Sequence, residues 1–182
     1  VQSGALGDAS LSASSELPAS ELAAGSASAA CFGRLHSVGC WAAAVADEHP
    51  WLEVDLGSLR TVTAVATQGR PKDGGGGGAE SAGQEVAYVT SYTLSTSVDG
   101  KEWTKRVPVR APSSAPAPAP ASDGDAHVFL GNSDGLSIKA HLLAGGLEAP
   151  CRYVRFSPLT WSAAVAMRVE VFGEPLGIGL LG

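Results

Sequence analysis

Charge is scarce in this 182-residue chain: Asp, Glu, Lys and Arg make up 16% of it, against 45% hydrophobic residues. Together with 23 Gly and 11 Pro, that composition disfavours long solvent-exposed helices and favours short strands joined by turns. The charge that is present has the wrong sign for a polyanion. A net value of −6 works against nucleic acid and against bulk attraction to an acidic membrane surface. Lys105-Arg106, the single adjacent basic pair, reads as a solvated strand edge. Long hydrophobic runs are missing too: no stretch approaches the roughly 20 apolar residues of a membrane-spanning helix. The opening VQSGALGDAS has neither the basic start nor the apolar run of a secretory leader, so the chain reads as a processed or excised segment.

Catalytic signatures are equally absent. His36, His49, His127 and His141 are isolated, with no HExxH spacing. No GxSxG elbow occurs, and the glycine run at 74–78 is followed by neither GK[ST] nor a helical pattern. Asp47-Glu48-His49 reads as an exposed turn. Neither an enzyme nor a cofactor is expected. The three cysteines, Cys31, Cys40 and Cys151, show no CxxC or Cys/His spacing, so no zinc site is expected and no metal ligand is named. They allow one disulfide, in any of three pairings, with one thiol left over. The one asparagine, Asn132, is followed by Ser-Asp, which is not a glycosylation sequon.

What the chain does have is alternation. In WLEVDL, Leu52, Val54 and Leu56 share one face, and Glu53 and Asp55 share the other. Gly57-Ser58 supplies turn chemistry, and TVTAVAT restarts the pattern, which predicts two short strands joined by a turn. Similar segments bounded by turn residues lie at 10–14, 51–56, 61–67, 90–97, 102–109, 126–130, 136–141, 152–157 and 166–172. Regular short strands of this kind indicate an all-β antiparallel sandwich or barrel. Tyr153, Arg155 and Ser157 alternate with Val154 and Phe156; Val169 and Val171 alternate with Arg168, Glu170 and Phe172. The arginines on these strands predict internal charge pairs, with Arg34, Arg155 or Arg168 meeting Asp55 or Glu170, because a buried charge without a partner is costly. Residues 16–30 contain Pro18 and Gly25 and have only Leu17 and Leu22 as anchors, too few for a stable amphipathic helix. A Gly-rich stretch at 72–83 and a Pro/Ala run at 111–122 read as surface loops.

These motifs, in this order, resemble the discoidin family, also called F5/8 type C domains. The similarity is carried by Ala13-Ser14-Ser15, Gly33-Arg34-Leu35, Gly39-Cys40-Trp41, then WLEVDLG and VTAVATQGR. It continues through Val89-Thr90-Ser91-Tyr92, Ser97 to Trp103, Phe129 to Asp134, Arg152 to Phe156 with Trp161, and Met167 to Gly173. It spans residues 6–173 as one domain, with 174–182 as the start of a linker. The resemblance implies a jelly-roll, galactose-binding-domain-like sandwich with ligand loops at one end. It also implies an extracellular recognition or adhesion module without catalysis, within a larger multidomain protein. Many relatives bridge the two ends of the domain with a disulfide; Glu174 stands where that cysteine would be. Some place a disulfide cysteine where Cys40 lies.

On this sequence the implied ligand loops are about 16–30, 41–48 and 70–87. Leu17 and Leu22 would be apolar tips of the first. Their acidic neighbours Glu16 and Glu21, the Ala-Ala-Ala-Val of the second loop and the glycines of the third argue against insertion into a phospholipid membrane. Sugar-binding relatives imply an aromatic platform, here Trp41 with His36 or Tyr88 with Arg70, with core packing below the loops as the other reading of Trp41. Collagen-binding relatives imply Arg70 with an acidic partner, here Glu85. The expected ligand is a protein or glycoprotein on a cell surface or in matrix. A carbohydrate-binding module and a structural contact domain of an extracellular assembly are the alternatives.

Overall fold

The computed structural model describes residues 6–18, 29–71, 86–109, 127–144 and 150–175. Leu22, Glu85, the glycine run and the Pro/Ala run lie outside them. Among the described residues nine strands follow in chain order: β1 (Leu11–Ala13), β2 (Trp41–Ala42), β3 (Leu52–Gln68), β4 (Tyr88–Ser97), β5 (Thr104–Lys105), β6 (Val128–Leu130), β7 (Lys139–Leu142), β8 (Cys151–Ser162) and β9 (Ala166–Pro175). They pair antiparallel.

β3 builds both layers of the sandwich. Its first half pairs with β1 and β8; β8 pairs with β4, whose far edge carries β5 and β6. Its second half pairs with β7 and β9, and β9 with β2. The expected two strands and a turn are therefore one 17-residue strand that changes layer midway. Gly57 makes the change possible at φ +72, a left-handed conformation that costs glycine little. Its N–H donates to Asp55 Oδ1 at 2.8 Å, and the register shifts between Asp55 and Arg60. β2 escaped the sequence reading because two residues carry no period.

Apolar faces meet between the layers as the alternation requires. Leu52, Val54 and Leu56 are buried against Leu94, Val154, Phe156, Val169 and Trp41. Tyr92 stacks on Phe129 at 5.3 Å and tilts toward Phe156 at 5.8 Å. Outside the first layer, Arg155 donates to Glu53 at 2.7 Å and lies between the rings of Trp51 and Trp103, at 4.4 and 3.9 Å. Arg152 grips both oxygens of Asp55 at 2.8 Å, and Arg34 meets Asp8 at 3.3 Å.

Two expectations are corrected here. The expected pairs differ in their partners: Asp55 takes Arg152, Arg155 takes Glu53 and Arg34 meets Asp8, while Arg168 donates to three backbone carbonyls, and both Arg168 and Glu170 are buried beside Val169. The cause is the segment Gly33–Ser37. It runs along β9, with Val169 N–H donating to Gly33 O and Leu35 N–H to Val169 O, and then turns over the end of that strand. The three cysteines are free. Cys40 is buried beside β2, where β9 begins; Cys151 is buried at the start of β8, paired with Arg60 near where β9 ends. A disulfide, reaching under about 7 Å between Cα atoms, does not span a strand of that length. Burial pushes both thiols up to about 11. Cys31 sits half-buried in a 3₁₀ turn, Ala30–Phe32.

Candidate functional site

The strand registers gather several connections at one end of the sandwich. There β3 ends at Gln68, β4 begins at Tyr88, β6 leads into 131–138, and β8 passes to β9 through 163–165. The segments after β1 and around β2 meet them. Trp41 Nε1–H donates to Ser15 O at 2.8 Å, Leu17 N–H donates to Ala42 O at 2.8 Å, and Ala30 N–H donates to Glu16 Oε1 at 2.7 Å.

A buried polar set knits this end together. Arg168, 3% exposed, donates to Gly69 O at 2.8 Å, Ser37 O at 3.1 Å and Gly135 O at 2.9 Å. Burial lowers its pKa, and three carbonyl dipoles offset the lost hydration of a group that stays charged. Gln68 accepts from His36 N–H at 3.0 Å and donates to Leu136 O at 2.7 Å. Asn132 accepts from the Thr67 hydroxyl at 2.8 Å and donates to Thr67 O and Ser137 O at 3.1 and 2.7 Å. Asp134 turns its own loop by accepting from Leu136 and Ser137 N–H at 2.7 and 2.6 Å. Hydrogen bonds from Ser137, side chain and backbone, with that of Leu136, hold its carboxyl below the usual range. Asp47 does the same for the 42–51 connection. Its partial burial opposes ionisation, yet hydrogen bonds from Ser14, Ser15 and His49 win and keep its pKa low.

Between these braced loops lies an open cavity of about 540 Å³, walled by Val86, Tyr88, Asp134, Leu136 and Ser137 among others. Gly135 closes its floor: a Cβ there would stand 2.2 Å from Arg70 O and 2.6 Å from Val86 Cγ1. Apolar tips project at the same end, Val45 at 88% exposure, Val38 at 65% and Leu136 at 57%.

The predicted residues fall unevenly on this arrangement. Tyr88 lines the cavity, and Arg70 borders it through its backbone, with its N–H on Ala87 O at 2.9 Å. His36 is exposed at the rim at φ +61. Trp41 is fully buried, so its ring forms the floor of the loops and presents no platform. Leu17 is half-buried against Cys40, Ala42, Ala87 and Ala166, an anchor instead of a tip. Leu22 and Glu85 lie outside the described residues. Arg168, Gln68 and Asn132 were missed, although a lone asparagine and an arginine alternating with core valines were visible signals. Val45 was visible as the valine that closes the second loop's Ala-Ala-Ala-Val, whereas Val38 and Leu136 were missed as tips because isolated apolar residues in loops show no period.

A family model described as F5/8 type C domain matches residues 10–171. The chain belongs to the F5/8 type C family. Lactadherin of Mus musculus is 32% identical to this F5/8 type C domain over 144 residues, covering 78% of the chain and 26% of lactadherin. Rat lactadherin (Rattus norvegicus) is also 32% identical over 144 residues, covering 78% of the chain and 28% of that protein. The domain thus spans only about a quarter of these curated relatives. Among solved structures, discoidin II of Dictyostelium discoideum superposes with a TM-score of 0.59 at 18% identity, over 91% of this chain and 55% of that one. CpGH89CBM32-5 of Clostridium perfringens, solved in complex with GalNAc-β-1,3-galactose, gives 0.56 at 18% identity, over 89% and 93%. At such identities the likeness shows the fold. An F5/8 type C domain is a ligand-binding module, and this chain is one.

Proposed function

We propose that this domain recognises a protein or glycoprotein on a cell surface or in matrix, as a non-catalytic module of a larger extracellular protein. The observation that carries the reading is the open cavity of about 540 Å³ at the loop end, with Tyr88, Asp134 and Leu136 in its wall and the exposed apolar tips Val38 and Val45 at the same end. Mixed apolar and polar surface of this kind suits a folded protein partner, where an aromatic anchor and its surroundings supply most of the binding energy. The rim carries His36 and Arg70 as proposed contacts.

A carbohydrate ligand is the second reading. Tyr88 offers a ring with a polar tip, and a neighbour in fold is known with GalNAc-β-1,3-galactose in place. The case against phospholipid rests on acidic balance alone, since the exposed Val38 and Val45 give this end apolar tips.

The test is surface plasmon resonance against purified matrix glycoproteins, with and without glycosidase treatment, beside a glycan array and phosphatidylserine vesicles. Saturable glycoprotein binding that survives deglycosylation, and that Tyr88→Ala weakens about tenfold or more without lowering Tm, supports the first reading. Loss on deglycosylation with array binding supports the second. Binding to vesicles alone overturns both.

A further inference from the structure

Three loops meet on one guanidinium. We propose that Arg168 is the positioning residue of the ligand-binding end, holding the 33–39, 69–71 and 132–137 segments in a single arrangement so that the cavity exists before any ligand arrives. The inference rests on the binding reading above for its functional meaning, though not for its geometry. Arg168 lies on β9, a strand of the rigid sandwich, and each of its bonds goes to a carbonyl of a different connection: Ser37, Gly69 and Gly135. Two of those carbonyls belong to segments that Gln68 also ties, through His36 N–H and Leu136 O. Gly135, at the cavity floor, in turn lies against Arg70 O and Val86. A planar fork of donors suits three acceptors at different angles; an ammonium at the same site reaches fewer of them. Preorganisation of this kind strengthens binding by removing the ordering cost of the loops.

Hydrogen–deuterium exchange on the Arg168→Lys variant reads the effect without a ligand. Loop-end amides, including those of Ser37, Arg70 and Ser137, are expected to exchange about tenfold or more faster, while the central amides of β4 and β8 keep their protection. A role confined to overall stability would raise exchange in proportion everywhere, and that outcome overturns the proposal. If Arg168→Lys does not fold, Gln68→Leu serves: it should free the 36–39 and 135–137 segments selectively, and uniform loosening there overturns the proposal equally. Binding of the wild-type domain to the glycoprotein panel, measured in parallel, separates the two claims. Selective loop exchange with no wild-type binding refutes the ligand reading and leaves the positioning role standing.

Discussion

Tyr92 shows how one buried atom can be spared. Its ring is fully buried among Phe129, Phe156 and the edge of His141, yet its hydroxyl makes no hydrogen bond. Burial raises its pKa, and the nearby Thr67 hydroxyl, committed as donor to Asn132, only partly offsets this. An unsatisfied buried hydroxyl costs about 1–3 kcal/mol. Tyr92→Phe removes the atom and keeps the ring, so urea unfolding should show stability unchanged or raised by up to about 1–2 kcal/mol. A loss above about 2 kcal/mol would mean the hydroxyl has a partner, such as an enclosed water.

At the scale of the element, the long strand β3 is the test case for what alternation can tell. Its inward residues were legible because Leu52, Val54 and Leu56 recur every second position, as were the outward carboxylates Glu53 and Asp55. The layer change at Gly57 was legible as chemistry but not as geometry: a Gly-Ser pair reads as a turn, and only the pairing of each half with different neighbours shows one continuous strand. A Cβ at Gly57 meets nothing within 4 Å, so the φ of +72 is the whole obstacle to substitution. Gly57→Ala should therefore cost about 1–2 kcal/mol in chemical denaturation, and Gly57→Asn less, since asparagine tolerates that conformation better. Equal costs for both would place the penalty in packing. The candidate site was harder to read for a related reason. Arg168 and Gln68 act through backbone carbonyls and amides of distant loops, and carbonyls have no sequence signature. The charge-pair rule found the kind of interaction on the outer face but not the partners: Arg152 and Arg155 meet Asp55 and Glu53, both side chains on paired strands.

For the molecule as a whole, the same contacts predict two steps in stability as pH falls. His141 packs edge-on against Phe129 and Tyr92 at 5.5 and 6.3 Å, with Nε2 on Leu130 O at 2.6 Å. Burial lowers its pKa, against the carbonyl contact and with help from Lys139. The unfolded chain, with a histidine near pKa 6.5, therefore takes up the proton more readily than the fold does. Stability is full above about pH 6.5 and declines as pH drops through the lower folded value. The second step belongs to the aspartates. Asp47, Asp55, Asp99 and Asp134 all titrate below their ordinary range because hydrogen bonds from turns or from Arg152 favour the carboxylate. Their contribution is present above about pH 4 and is lost as pH falls through those depressed values. Thermal melts from pH 8 to 2 should show a shallow decline below about 6.5 and a steeper one below about 4. His141→Phe should flatten the first limb and leave the second, whereas a shallow limb unchanged in that variant would assign it to another group. Because Asp47 and Asp134 brace loops at the ligand end while Asp55 and Asp99 serve other parts of the sandwich, acid should loosen that end together with the rest, and binding should fade over the same lower window.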